Sequence, residues 1–140
     1  MQSTGRAATI RRRLASEVGR IDKHASFRVA LAYPSPYRAG MSSLGFQQIY
    51  RMIQAEDDMA CERFFLPDEG DPEPPVSYES GCSLAELAVI ALSVAYELEL
   101  AGLVTLFDRA GSPVLREDRD HRHPFILAGG PLTFSNPLPL

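Results

Sequence analysis

From residue 27 onward, short apolar runs alternate with amphipathic stretches, and this order constrains the fold more than any other feature of the sequence. Strand-forming residues dominate four runs, at residues 27–33, 60–66, 87–94 and 124–128. The third run is uninterrupted, as is typical of a strand that is buried on both faces. Because parallel neighbours need a long crossover, usually a helix, strands that alternate with helical stretches favour parallel pairing. The sequence therefore predicts an α/β domain with a doubly wound, mainly parallel sheet of the Rossmann or flavodoxin type.

Two helical stretches separate these runs, and each carries apolar residues at i, i+3, i+4 and i+7, on one face of the helix. The first stripe is Phe46, Ile49, Tyr50 and Ile53, and the second is Leu100, Leu103, Val104 and Phe107. Ser42 or Ser43 can cap the first helix, because a hydroxyl accepts a hydrogen bond from an unpaired amide of the first turn. Gly111 is expected to end the second helix, and Pro34 and Pro36 are expected to stop the first strand.

The chain divides into a basic N-terminal arm, residues 1–26, and an α/β domain, residues 27–140. Residues 1–28 contain seven basic and two acidic groups, but no aromatic residue lies among them before Phe27. Nucleic acid is therefore not an expected partner, and the arm is either solvated or a helix that packs on another part of a larger protein. After the fourth strand and its glycine turn we predict no further helix or strand. We expect the domain to be incomplete at that point.

Composition excludes several classes of protein. The hydrophobic fraction is 45%, the charged fraction is 23% and the net charge is -4, which excludes a chain that is disordered throughout. The longest uncharged apolar stretch, residues 87–96, is about half as long as a membrane-spanning helix, so no membrane association is expected. Cys61 and Cys82 make neither a disulfide framework nor a set of metal ligands, and we expect a cytoplasmic location.

Three loops lie where open parallel sheets bind ligands, outside the carboxyl ends of their strands. They are residues 33–43, 93–97 and 129–131. In the first loop, Gly40 and the serines that follow it can present helix-terminal amides to a phosphate, although no dinucleotide or Walker motif is present. The alternative is that Gly40 and Gly45 only let helix and sheet pack closely.

The other polar groups do not form a self-sufficient active site. His121 and His123 have the spacing of a metal-binding pair, but they lie in a polar loop with acidic neighbours and no cysteine, which favours a solvated loop. Glu97 and Glu99 are interpreted as helix-terminal charges, because residues at i and i+2 do not face each other on a helix. No base can be placed beside either cysteine, which favours unreactive thiols.

Several short motifs occur in the order found in one known family. Residues 28–50, 61–68, 78–80, 93–98 and 128–137 resemble the N-terminal, Rossmann-type domain of cobalamin-binding-type radical SAM proteins. In such proteins this domain precedes a barrel whose CxxxCxxC motif holds a [4Fe–4S] cluster that cleaves S-adenosylmethionine. The chain has no such motif. The resemblance therefore implies the front domain alone, with the radical SAM catalytic domain as its partner in cis.

The resemblance also makes cobalamin the candidate cofactor of this chain. The residues expected to line its crevice are Ser35, Gly40, Ser42, Ser93, Tyr96, Gly129 and Gly130. They would shape a shallow site, donate hydrogen bonds and admit a flat ring close to the backbone. Relatives that ligate cobalt through histidine carry D-x-H-x-x-G after the first strand, whereas residues 33–38 do not match it and no histidine lies between His24 and His121. Cobalamin would therefore be held by loop backbone and packing.

Three functions remain open at this stage. The first is a cofactor-binding or docking domain at the front of a radical SAM protein, with the [4Fe–4S] cluster, S-adenosylmethionine and all catalytic residues in the downstream domain. The second is a free-standing flavodoxin-like interaction module without a cofactor. The third, a small phosphate-ester enzyme that uses residues 40–43, lacks an identifiable base or metal site.

Overall fold

The computed structural model describes residues 2–140, which form a four-stranded parallel sheet with helices on both faces. The strands are β1 (Phe27–Pro36), β2 (Met59–Leu66), β3 (Val89–Ser93) and β4 (Phe125–Gly129). The helices are α1 (Gln2–Ser16), α2 (Tyr37–Ser42), α3 (Leu44–Ala55), α4 (Glu99–Arg109) and α5 (Pro131–Ser135). Single 3-10 turns occur at Leu84–Glu86 and Arg116–Asp118.

The strands lie in the order β2–β1–β3–β4, and every pairing is parallel. Val29 is registered with Cys61 of β2 and Val89 of β3, and Val89 is registered with Phe125 of β4. The chain passes through α3 to an outer strand on one side of β1, and through α4 to an outer strand on the other. Because such crossovers are right-handed, α3 and α4 lie on opposite faces. The predicted doubly wound α/β fold is confirmed.

The sheet has a core on each face, and we name the faces after the helices that cover them. On the α3 face, Leu31 and Tyr33 pack against Phe46, Tyr50 and Phe65. On the α4 face the buried cluster includes Ala30, Ala32, Phe64, Ile90, Leu92, Leu106 and Phe107. These alternate along the strands with the residues of the α3 face, as the two-residue repeat of a strand requires.

The first strand and helix of the domain differ in detail from the prediction. Pro34 does not stop β1, which continues to Pro36 with a shift in its register against β2 after Tyr33. Proline is tolerated in a strand at such an irregularity, where no ladder hydrogen bond is lost. Of the two predicted caps, Ser43 is the one that caps α3, because its hydroxyl accepts a hydrogen bond from the amide of Phe46 at 3.2 Å.

Two predictions for the second half of the sheet are wrong. A short helix, α5, follows the fourth strand, where none was predicted, and five residues are too few to show a helical period. Its buried Leu132 anchors it to the α4-face core. In addition, β3 is not buried on both faces: Ile90 and Leu92 are buried on the α4 face, while the alternate residues Val89, Ala91 and Ser93 are half-buried.

The basic arm begins with α1, which packs on this domain. Ile10 and Leu14 contact the core of the α3 face. Arg13 donates hydrogen bonds to the hydroxyl of Tyr78 at 2.7 Å and to the carboxylate of Asp68 at 2.6 Å. The sequence analysis expected this arm to be solvated or to pack on another part of a larger protein. Instead, α1 packs on the α/β domain of the same chain. The boundary between arm and domain stays a prediction.

Candidate functional site

The carboxyl ends of the four strands meet along one edge of the sheet, and the predicted crevice residues lie there. Ser35 follows the last regular pairs of β1, and Ser93 and Gly129 are registered neighbours at the ends of β3 and β4. Tyr96 lies in the loop between β3 and α4, where its side chain is exposed. The strand order changes direction between β1 and β3, which is where ligands of open α/β sheets bind.

Gly40 and Ser42, which belong to α2, are engaged within the chain. Gly40 is buried, and a Cβ atom at this position would lie 2.3 Å from the ring of Phe65 and 3.3 Å from Cβ of Tyr33. The hydroxyl of Ser42 donates to the carbonyl oxygen of Arg38 at 2.7 Å on the exposed side of the helix. Gly40 therefore lets α2 pack on the sheet, as the alternative predicted, whereas the same prediction is wrong for Gly45, whose Cβ would meet nothing closer than 4.0 Å.

The two glycines after β4 have different environments. Gly130 has φ of +113°, and a Cβ atom there would lie 2.3 Å from the carbonyl oxygen of Val94, so no other residue fits without strain. Its neighbour Gly129 faces open space, and its carbonyl oxygen accepts a hydrogen bond from the amide of Val94 at 2.9 Å. This turn locks the β3 and β4 loops together and leaves open backbone only at Gly129.

Glu99, which the sequence analysis interpreted as a helix-terminal charge, lies between the ends of β1 and β3. The carboxylate of Glu99 accepts hydrogen bonds from the amides of Ala95 at 2.6 Å and Tyr96 at 3.4 Å. Burial raises the pKa of Tyr33 to about 12, and the nearby Glu99 carboxylate adds to that shift. Glu99 is thus a helix-terminal charge, as interpreted, and it also fixes the loop that follows β3. The sequence carries no signal for the contact with Tyr33.

Cobalamin is a large planar macrocycle, and the predicted seat for it depends on open backbone at the glycines. Gly40 and Gly130 are filled by Phe65 and Val94 of the same chain, so Gly129 is the open position among the three. The edge therefore offers little flat surface close to the backbone. The residues present fit close packing of loops better than they fit a macrocycle, and we derive no chemical step through that cofactor.

The outer edge of β2 is closed by residues 76–83 and by the end of α1. The amide of Tyr78 donates to the carbonyl oxygen of Arg63 at 2.9 Å, and the amide of Arg63 donates to the carboxylate of Glu79 at 2.6 Å. These bonds occupy backbone groups of β2 that a further strand would use. Val76 and Ser83 form a single antiparallel bridge that holds the segment together.

Arg63 joins the three elements at this closed edge. Its side chain is 1% exposed, and it pairs with the carboxylates of Glu17 at 2.9 Å and Glu79 at 2.6 Å. Its guanidinium also lies over the ring of Tyr50, 4.4 Å from the centroid. Burial alone would lower the pKa of Arg63, but the two carboxylates hold it above its ordinary value. Glu17 also accepts a hydrogen bond from the hydroxyl of Tyr37 at 2.8 Å.

Cavities beneath α1 do not coincide with the predicted crevice. One of about 330 Å³ lies at the carboxyl end of β2, between α1 and residues 67–72. Its charged side chains already pair with one another: Arg6 with Asp71 at 3.6 Å, and Arg13 with Asp68 at 2.6 Å. The cavity is therefore part of the contact that attaches α1.

The opposite edge of the sheet is open. β4 is the outermost strand there, and among residues 2–140 no other segment hydrogen-bonds to its outer side. Phe125 and Leu127 are 68% and 57% exposed on the α3 face, although both are large and apolar. Ile126 and Ala128 are half-buried on the α4 face. Proteins usually cover, charge or shorten an edge strand, and β4 carries no charged residue in its five positions.

The remaining candidates for chemistry are the two cysteines and the histidine pair, and His121 and His123 line a cavity of about 700 Å³ beside Phe125, Ile126 and Ala128 of β4. Cys61 is buried and Cys82 is half-buried, and both are free thiols. Burial raises the pKa of the Cys61 thiol well above its ordinary value, which opposes a role as nucleophile. His123 is held in its loop by Asp120 at 3.0 Å. Within the part of the chain that the structure describes, no three His, Cys, Asp or Glu residues are grouped as metal ligands, and no helix is long and apolar enough to cross a membrane.

The fold is an open, doubly wound α/β domain. Its sheet has one closed edge, at β2, and one uncovered edge, at β4. Comparison with known protein families shows which family of α/β domains this chain belongs to. The model described as "Radical SAM proteins, N-terminal" matches residues 45–140, which is more than half of the chain. The chain therefore belongs to this family, which confirms the radical SAM part of the resemblance, while the cobalamin-binding type stays a prediction. No curated protein and no solved structure matches the chain significantly.

Proposed function

We propose that this chain is the N-terminal docking domain of a radical SAM protein, and that its β4 side receives the catalytic part of the same polypeptide. The proposal rests on the difference between the two sheet edges. Residues 76–83 and α1 close the β2 edge, whereas the β4 edge presents unpaired backbone and exposed Phe125 and Leu127. Family membership makes a radical SAM catalytic part the expected partner.

The energetics of the β4 side favour a covered state. Full burial of a Phe or Leu side chain is worth about 1.5–3 kcal/mol, and each of the two side chains has more than half of its surface still to bury. Covering both would therefore contribute about 2–4 kcal/mol. The outer backbone groups of β4 would add hydrogen bonds if a strand pairs there.

Within this proposal the chain supplies structure and not reactive groups. A radical SAM cluster needs three cysteine thiolates in a CxxxCxxC motif, and this sequence has two cysteines, 21 positions apart. The [4Fe–4S] cluster and S-adenosylmethionine would be held by the catalytic part. Radical formation is the chemistry that this pair would supply there. This domain would hold the catalytic part in place through β4.

A cross-linking experiment tests the docking proposal. Gly129 is exposed and faces open space, so Gly129→Cys can carry a benzophenone on the β4 side, in a Cys82→Ser background that removes the accessible native thiol. The matched control is Val18→Cys, at a residue that is 97% exposed beyond the end of α1. In the complete radical SAM polypeptide, residue 129 should cross-link to peptides outside this chain and residue 18 should not. Equal capture from both positions, or none from residue 129, would contradict the proposal.

Cobalamin binding is a separate prediction with its own assay. The chain is mixed with hydroxocobalamin and desalted, and the protein fraction is scanned for visible absorbance. Because Phe65 and Val94 fill the space beside Gly40 and Gly130, we expect no co-eluting cobalamin. Stoichiometric absorbance that Gly129→Val abolishes would instead support the cofactor-binding function of this edge, because Gly129 is the glycine with open space.

A further inference from the structure

The α4 face contains an apolar cavity of about 270 Å³, which we name the α4-face cavity. α4 contributes Leu103 and Phe107 to its lining, and the strands β3 and β4 contribute Leu92 and Ile126. Apart from Arg119, every residue that lines it is apolar. A cavity with aliphatic and aromatic walls stays dry and accepts an apolar group. The α4-face cavity is therefore suited to a ligand with an apolar part.

The α4-face cavity adjoins the cavity of about 700 Å³ that His121 and His123 line. Arg119 and Ile126 line both cavities, so the two spaces meet at these residues. The larger cavity carries polar side chains of the loop before β4, among them Arg116. An apolar space therefore lies next to a polar one, and the guanidinium of Arg119 lies where they meet.

The guanidinium of Arg119 is held in position by neutral groups. It donates hydrogen bonds to the carbonyl oxygens of Val114 at 2.9 Å and Leu115 at 3.3 Å. It also lies over the ring of Phe107, 5.5 Å from the centroid. These contacts fix the orientation of the guanidinium and leave further N–H donors for a ligand. Arg119 is therefore a positioned cation with hydrogen-bonding capacity to spare.

The charges around Arg119 favour an anion. Within the part of the chain that the structure describes, neither Arg119 nor Arg116 forms an ion pair with a carboxylate. Burial lowers the pKa of the Arg119 guanidinium, and the positive charge of Arg116 lowers it further. Asp120 lines the larger cavity, but its carboxylate is paired with Arg122 at 2.6 Å and with His123 at 3.0 Å. An anion beside Arg119 would therefore offset the repulsion between two cations.

Cavity volume and the shape of the cation together define the ligand. A cavity of about 150 Å³ with apolar walls binds one benzene ring, so one of about 270 Å³ accommodates roughly ten carbon atoms. The planar fork of a guanidinium matches a carboxylate, whose two oxygens accept parallel hydrogen bonds. Tail and head group together describe a linear monocarboxylate of medium chain length.

We propose that the α4-face cavity binds a medium-chain carboxylate, with its alkyl chain between Phe107 and Ile126 and its carboxylate on Arg119. The ligand is bound there and not transformed. Its contacts lie on the α4 face, whereas docking was proposed for the outer edge of β4 and for Phe125 and Leu127 on the α3 face. The inference therefore stands or falls separately from the docking function.

Calorimetric titration with decanoate, kept below its micelle-forming concentration, tests this site. The chain should bind one equivalent, and butanoate, which lacks the tail, and decan-1-ol, which lacks the charge, should each bind at least about tenfold more weakly. Arg119→Met should weaken decanoate binding at least about tenfold and leave decan-1-ol binding unchanged. The control is Arg51→Met, at an exposed arginine of α3 on the other face of the sheet, which should bind decanoate as the parent chain does. Ala128→Leu, which fills part of the cavity, should weaken the binding of both ligands.

The same titration of the complete radical SAM polypeptide should give one decanoate site of similar affinity. Loss of binding there would mean that another part of the polypeptide covers the cavity, and it would overturn the proposal. Equal decanoate binding by Arg119→Met and the parent chain, or binding that does not saturate, would overturn it as well. If Arg119→Met does not fold, as read by circular dichroism, the parent chain still decides: equal affinities for decanoate and decan-1-ol contradict a carboxylate site.

Discussion

Replacement of Arg63 by methionine should destabilise the domain strongly, because Arg63 is the buried cation that joins α1, β2 and residues 76–83. The variant leaves the carboxylates of Glu17 and Glu79 without their partner, and their side chains are only 7% and 14% exposed. Removal of one member of a buried ion pair costs about 3–5 kcal/mol. A domain of this size is stable by about 5–15 kcal/mol in total, so the midpoint of urea denaturation should fall sharply.

The control for this prediction is Arg122→Met. Arg122 and Asp120 have the same 2.6 Å separation as Arg63 and Glu79, but the Arg122 side chain is 76% exposed. An exposed pair contributes about 0–1 kcal/mol, so this variant should unfold close to the parent chain. Urea unfolding is followed by circular dichroism for both variants. An Arg63→Met variant that loses less than about 1 kcal/mol would refute the role of the buried network.

Two further predictions concern α4 and the β1 end. Gly102→Ala should destabilise the chain by about 1–3 kcal/mol, because its Cβ atom would lie 2.0 Å from the carbonyl oxygen of Pro34. The control is Gly45→Ala, whose Cβ atom would have its nearest neighbour at 4.0 Å. It should be neutral or stabilise the chain by up to about 1 kcal/mol. Equal melting temperatures for the two variants would show that α4 does not pack on β1 as described. Since the pKa of Tyr33 is raised from 10.0 to about 12, its contribution to stability is complete below pH 10 and is lost as the pH rises through 12. Tyr33→Phe should therefore lose less stability than the parent chain between about pH 8 and about pH 11 in urea titrations, and an unchanged loss would contradict the assignment.

The order of strands and helices could be predicted from the sequence because each long element carries its own period. The stripes from Phe46 to Ile53 and from Leu100 to Phe107 became α3 and α4, and Gly111 ends its helix with φ of +67°. The doubly wound architecture followed from that order. α5 escaped prediction because its five residues span little more than one turn.

Contacts between distant residues could not be predicted, and these determine how the edges differ. Arg63 and Glu17 are 46 positions apart, so nothing local shows that a strand residue and the end of α1 form a buried pair. The glycines show the same limit. Gly40 and Gly130 had the sequence context of ligand-binding loops, yet Phe65 and Val94 occupy the space beside them. The exposure of Phe125 and Leu127 became visible only once β4 was placed at the outside of the sheet.

Amide hydrogen exchange of β4 tests the docking account most directly, because it reads the outer backbone of the strand. The alternate β4 amides that point away from β3 should exchange rapidly in this chain alone. In the complete radical SAM polypeptide they should be protected at least about a hundredfold, as expected for amides that enter stable hydrogen bonds. The amides of β1, which is paired on both sides, should be slow in both samples and serve as the reference. Equal exchange of the outer β4 amides in the two samples would contradict the account.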